Sequence, residues 1–100
     1  MLWMINCRDK SGTTDLRQKY LPEHRRYLEG RAEQIFFSGP LLDDAGQTMI
    51  GSVFIISAAS RSEAEQFIQD ETLSRAGLFS DVSITRIRKG RLLPELAALP

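Results

Sequence analysis

The sequence predicts a small α+β domain whose elements follow the order β-α-β-β-α-β. Three observations predict it. Short runs rich in apolar, β-branched and aromatic residues recur at Leu2–Cys7, Gln34–Gly39, Ile50–Ala58 and Val82–Arg88. Two stretches between them, Thr14–Arg31 and the segment after Ser60, repeat apolar residues at helical spacing. Turn-forming residues punctuate the rest, and a chain of 100 residues suits one domain with one core.

Leu2-Trp3-Met4-Ile5-Asn6-Cys7 opens as a strand, and Asp9-Lys10-Ser11-Gly12-Thr13 supplies turn chemistry to end it. Cys7 lies near the strand end without a basic neighbour in sequence to activate it, so it is expected to be a buried thiol rather than a nucleophile. From Thr14 to Arg31, Leu16, Tyr20, Tyr27 and Leu28 recur at helical spacing, with Arg, Lys and Glu on the other face. Pro22 removes a backbone donor and restricts the residue before it, which predicts a kink or restart near Leu21. Arg17, His24 and Arg31 recur every seven residues and share one side of a continuous helix.

The second and third strands form a hairpin through Leu41-Leu42-Asp43-Asp44-Ala45-Gly46-Gln47. Ser60-Arg61-Ser62-Glu63 is a capping box for the second helix, in which Ser60 receives the Glu63 amide and Glu63 reaches back. Ala64, Phe67 and Ile68 form its inward stripe; Glu71 continues that stripe in phase, and Asp70 is rotated about 100° away. Ala76-Gly77 ends this region, and the alternation of Val82, Ile84 and Arg86 with Ser83, Thr85 and Ile87 marks the last strand. Residues 1–89 thus form the domain. Residues 90–100, which contain several leucines and end in proline, form a tail that docks on the body or on a partner.

This order is the ferredoxin-like arrangement, a four-stranded antiparallel sheet with both helices on one face. The central strands are apolar at both parities, Ile35 and Phe37 against Phe36, and Val53 and Ile55 against Phe54 and Ile56. A sheet side facing water would be polar at alternate positions. The apolar second face predicts a homodimer with sheets packed face to face, or else a monomer whose tail covers that face.

Thirteen basic residues balance thirteen acidic ones, so no net field draws in nucleic acid or an anionic membrane. The basic run Arg86, Arg88, Lys89 and Arg91 reads as a solvated strand edge. A single cysteine and no signal peptide point to a reducing cytoplasm, and no apolar run approaches the ~20 residues of a membrane span. His24 and Cys7 are the sole soft ligands, which argues against a protein-only zinc site; no metal and no cofactor is expected. His24 is the one histidine, and an imidazole titrates near pH ~6.5 without adjustment, so it is the natural candidate for moving protons.

Taken together, these residues resemble the YCII-related (YciI-like) family, small proteins with the dimeric α+β barrel fold. The resemblance runs from Met1 to about Lys89. It rests on Arg8-Asp9-Lys10, Arg17, Pro22-Glu23-His24-Arg25-Arg26-Tyr27-Leu28, Ser38-Gly39-Pro40-Leu41-Leu42-Asp43 and Gly46, together with Gly51-Ser52, Ser60 to Phe67 and Ala76-Gly77-Leu78-Phe79. It implies a cleft between the helix-side loops and the sheet, with a His-Asp pair as acid/base centre. His24 matches the family histidine. The family carboxylate stands in Asp-Pro-aromatic, six residues before the glycine of the Ala-Gly step. Counting back from Gly77 reaches Glu71, followed here by Thr72 and Leu73, while Asp70 matches in residue type but requires an insertion. Both are carried as the second member, helical phase favouring Glu71.

A carboxylate at one ring nitrogen would fix the tautomer and leave the other as general base. Arg17 is the candidate for holding an anionic oxygen, and Ser52 and the Gly39 backbone for adding hydrogen bonds. The family includes a dehydrochlorinase acting on chlorinated hydroxyquinols, and the fold resembles muconolactone isomerase. The resemblance therefore implies a cofactor-free lyase or isomerase acting on a small aromatic, hydroxyquinol or lactone-type substrate. The alternative is a non-catalytic dimeric module that binds a small ligand.

Overall fold

The computed structural model describes residues Met1 to Leu99. It contains β1 (Leu2–Asp9), α1 (Thr14–Glu29), β2 (Ile35–Leu42), β3 (Met49–Ser57), α2 (Arg61–Asp70), α3 (Thr72–Arg75) and β4 (Phe79–Ile87). A 3₁₀ turn at Pro94–Ala98 lies in the tail. The four strands form one antiparallel sheet in the order β2-β3-β1-β4, the ferredoxin-like topology.

Register sorts the residues onto two faces. Ile5 lies opposite both Phe54 and Ile84, so Trp3, Ile5, Cys7, Phe54 and Ile56 share the helix-covered side. Ala64, Phe67 and Ile68 of α2 pack there, joined by Tyr27 and Leu28 of α1. Phe67 is the hinge of this packing. Its ring stands edge-on to Phe54 at 5.5 Å and to Tyr27 at 5.6 Å, arrangements that aromatic quadrupoles favour. The Tyr27 hydroxyl donates to the Phe67 carbonyl at 2.7 Å, and the Trp3 indole donates to the Ala58 carbonyl at 3.1 Å, so both polar tips are satisfied. At Gly51, β1 and β3 come so close that a Cβ would stand 2.1 Å from the Cys7 carbonyl oxygen. Only glycine fits there.

Several elements depart from the pattern reading. No second helix starts at Leu21: α1 runs unbroken through Pro22. Pro22 and Gln18, four residues earlier, are both exposed, so the carbonyl that loses its helical partner faces water, while buried Leu21 holds the helix in place. Strand β2 extends to Leu42 and contains Pro40, which an edge strand tolerates. Strand β4 starts at Phe79, where a bulge after Arg8 brings Asp9 opposite it. The capping box forms with a shift, because Glu63 receives the amide of Ala59 rather than that of Ser60, while Ser60 receives Glu63.

On the uncovered face, Met4 lies opposite Ile55 and Thr85, and Phe37 lies opposite Ile55. The tail reaches β2 at the edge of this face, where its leucines and Phe36 and Phe37 line a common groove. Among the described residues, no helix is long and apolar enough to cross a membrane.

Candidate active site

Helix α1 carries both polar ends of the site. Arg17 and His24, two turns apart, face the sheet from the same side of the helix. Between α1, β2 and β3 lies a cleft of about 190 Å³. Leu21 and Leu28 form its helix wall, Ser38, Gly39 and Pro40 its outer wall, and Met49, Ser52 and Phe54 its floor, with Arg25 at the rim. Larger grooves lie elsewhere; two of them are beside Met1 and Arg86 and under the tail. The smaller cleft is the chemical candidate, because buried polar groups converge on it and on neither of those two.

At one end, His24 Nδ1 bonds the Glu71 carboxylate through Oε1. The His24 side chain is only 12% exposed and Glu71 is fully buried. The other Glu71 oxygen, Oε2, receives the amides of Leu73 at 2.9 Å and Ser74 at 3.2 Å. With Nδ1 as the donor, three N–H groups converge on one carboxylate, and a neutral ring then carries its lone pair on Nε2. Phe54 stands edge-on to the imidazole at 6.2 Å and fixes the plane of the ring. Glu71 is buried for a different reason than helical phase. Helix α2 stops at Asp70, Glu71 is extended (ψ 138°), and its side chain caps α3.

Asp70, the other candidate carboxylate, does not meet His24. Its side chain is 44% exposed, receives the Gln66 amide at 2.9 Å, and lies 3.9 Å from the Arg31 guanidinium. The backbone turns between the two residues, so consecutive acids point to opposite environments. Arg31, in phase with Arg17 and His24 by sequence, lies past the end of α1 and outside the cleft.

At the other end, Arg17 is almost wholly buried. Its Nε and Nη2 donate to the two oxygens of Asp9 at 2.7 and 2.8 Å, and Nη2 also donates to Ser52 Oγ at 3.0 Å. Burying an ion pair carries a desolvation cost, which this two-pronged geometry offsets. Because Ser52 accepts from Arg17, its own hydroxyl hydrogen points elsewhere and is available to a ligand. Gly39 lines the cleft, and a Cβ on it would meet nothing within 4 Å.

Asp9, a turn residue by its sequence context, is the anchor of Arg17. An acid at a strand end resembles turn chemistry, and its burial arises only when α1 folds back over it. Cys7 is fully buried beneath the site, and its thiol is pushed up to about 12, chiefly by burial and then by the nearby Glu71 charge. It stays a thiol at neutral pH. Among the described residues, no group of three or more His, Cys, Asp or Glu is placed to hold a metal ion.

The sequence model of the YCII-related domain matches residues 1–88. The chain belongs to the YCII-related family. Among solved structures, this YCII-related domain is similar to the 5-chloro-2-hydroxyhydroquinone dehydrochlorinase of Burkholderia phenoliruptrix, solved in complex with 2,5-dihydroxybenzoquinone. The two share 30% identity with a TM-score of 0.85, over 90% of this chain and 96% of that one. More distant likenesses show the fold alone. They include an Agrobacterium tumefaciens protein (17% identity, TM-score 0.56, over 94% of this chain and 98% of that one) and a Pseudomonas aeruginosa protein (14%, 0.52, over 90% and 93%). No curated protein sequence matches significantly.

Proposed function

We propose that this YCII-related chain is a cofactor-free lyase that eliminates HCl from a small chlorinated hydroxyquinol, or an isomerase of a related aromatic or lactone-type ring, with His24 as general base. The observation that carries the reading is the buried Glu71 carboxylate on Nδ1 of a histidine whose other nitrogen is left for a cleft that also holds Arg17 and Ser52. A cavity of roughly 150 Å³ takes up a benzene ring, so the cleft suits a single-ring substrate. Leucine, methionine and phenylalanine walls suit its faces, and the Arg17 and Ser52 end suits an anionic oxygen. The dehydrochlorinase likeness supports the same substrate class.

In the elimination, Nε2 takes a proton from the substrate. The substrate reacts as its keto tautomer, in which a hydroxyl proton has moved to the chlorine-bearing carbon. The pair left on a second hydroxyl oxygen forms C=O, the ring double bond shifts onto the chlorine-bearing carbon, and chloride departs with the pair of the breaking C–Cl bond to leave a quinone. Glu71 is a positioning residue: it holds the tautomer and stabilises the imidazolium. The proton leaves later to water, so the products are the dechlorinated ring, chloride and a proton. We further propose that the working unit is a homodimer paired through the uncovered sheet face, where Met4, Val53, Ile55 and Phe37 are apolar.

Chloride release and loss of 5-chloro-2-hydroxyhydroquinone are the assays. The wild-type chain should turn this compound over, and His24→Ala should lower turnover by ~10²–10⁴-fold without loss of fold. Turnover unchanged in His24→Ala would overturn the assignment of the base. Binding of the ring compound without any turnover by the wild type would make the chain a binding module.

A further inference from the structure

The family match ends at residue 88, and the segment beyond it is the least satisfied part of the molecule. Leu92, Leu93, Leu96 and Leu99 are 51–64% exposed, and Phe36 and Phe37, against which the segment lies, are 56% and 47% exposed. The hydrogen bonds of the 3₁₀ turn, Leu96 to Leu93 and Leu99 to Leu96, stay within the tail. Among the described residues only apolar contact therefore ties it to β2, leaving a groove of about 620 Å³.

We infer that this tail, with Phe36 and Phe37, is the seat of a second copy of the chain, an arm that the family domain alone does not have. The inference rests on the pairing proposed above and names the element that tightens it. Three features favour a second copy over an unlike partner. First, Phe37 is opposite Ile55, which is opposite Met4, so the patch continues the apolar side of the sheet without a polar break. Second, a two-fold contact brings a patch against itself, and like charges would repel; residues 92–99 carry one charge, Glu95. Third, the six side chains expose on the order of 600 Å² per chain, most of the roughly 800 Å² that each partner brings to an interface of standard size. A patch of that extent marks a contact surface rather than ordinary exposure.

The contact also bears on the cleft. Phe36 and Phe37 lead directly into Ser38, Gly39 and Pro40, its outer wall, on an edge strand that only β3 holds. A second copy seated on the tail would brace that wall.

Sedimentation equilibrium of the full chain, of a chain ending at Gly90, and of the double variant Leu93→Glu/Leu96→Glu tests the inference. The wild type should dimerise, and both variants should dissociate at least about tenfold more readily, as loss of well-buried apolar anchors does. The two leucines are 59% and 58% exposed, so the double variant keeps its fold even where truncation does not. A wild-type dimer matched in strength by a folded variant would overturn the role of the tail and leave sheet pairing intact. A wild-type chain that stays monomeric at high micromolar concentration would overturn both.

Discussion

Glu71 and His24 lie 47 residues apart and meet because a carboxylate that caps one short helix also receives a ring nitrogen from another. The acid is therefore fixed twice, by the backbone of α3 and by the imidazole. Glu71→Gln keeps the shape, but with its oxygen accepting from the Leu73 and Ser74 amides its NH2 donates to Nδ1, which reverses the tautomer. Activity should fall by about 10²–10⁴-fold. Asp70→Asn, one residue away, should change turnover by less than about twofold, since its partners are Gln66 and Arg31 on the surface. Steady-state rates of the two variants, side by side, check the assignment.

Arg17 and Asp9 make a second pair, buried and bidentate. Removing one member leaves the other charged and alone in the interior. Arg17→Met should cost about 3–5 kcal/mol in urea unfolding, and adding Asp9→Asn should recover part of that. A loss in the double variant equal to the sum of the Arg17→Met and Asp9→Asn losses would mean that the pair is not coupled as its distances indicate.

Gly51 is a packing constraint with a sharp prediction. Gly51→Ala would press a methyl group into the Cys7 carbonyl and against Leu41, so β1 and β3 must separate. The expected loss is about 1–3 kcal/mol or more, read as a lowered Tm. Gly39→Ala, where a Cβ meets open space, should leave Tm nearly unchanged.

Cys7 gives a pH dependence whose sign is fixed. Its folded-state pKa is raised from 9.0 to about 12, so its contribution to stability is whole below pH 9 and is lost as pH rises from there towards 12. Denaturation of the wild type and Cys7→Ala between pH 8 and 11 should show the wild type losing stability faster, and iodoacetamide should label the folded protein slowly.

The fold was legible because strand alternation, helical spacing and the Ser60 cap are local signals, and local signals agreed with one another. The cleft was legible in part. His24, Arg17, Ser52 and Gly39 all line it, but the choice between Asp70 and Glu71 turned on a chain reversal that periodicity does not encode. Helical phase pointed towards Glu71 by treating residue 71 as helix, whereas that residue is extended and reaches the interior as a cap. Asp9 was hidden because its burial depends on a residue eight positions later in another element. Pro22 shows the opposite case: a strong local breaker does not end the helix, because tertiary packing carries α1 through it.

One feature of the Arg17 end sets how a ligand arrives. Asp9 already cancels the guanidinium charge, so an approaching oxyanion meets oriented donors and almost no far-reaching attraction. Capture is then governed by fit at close range, and the rate of ligand uptake should stay nearly flat as ionic strength is raised.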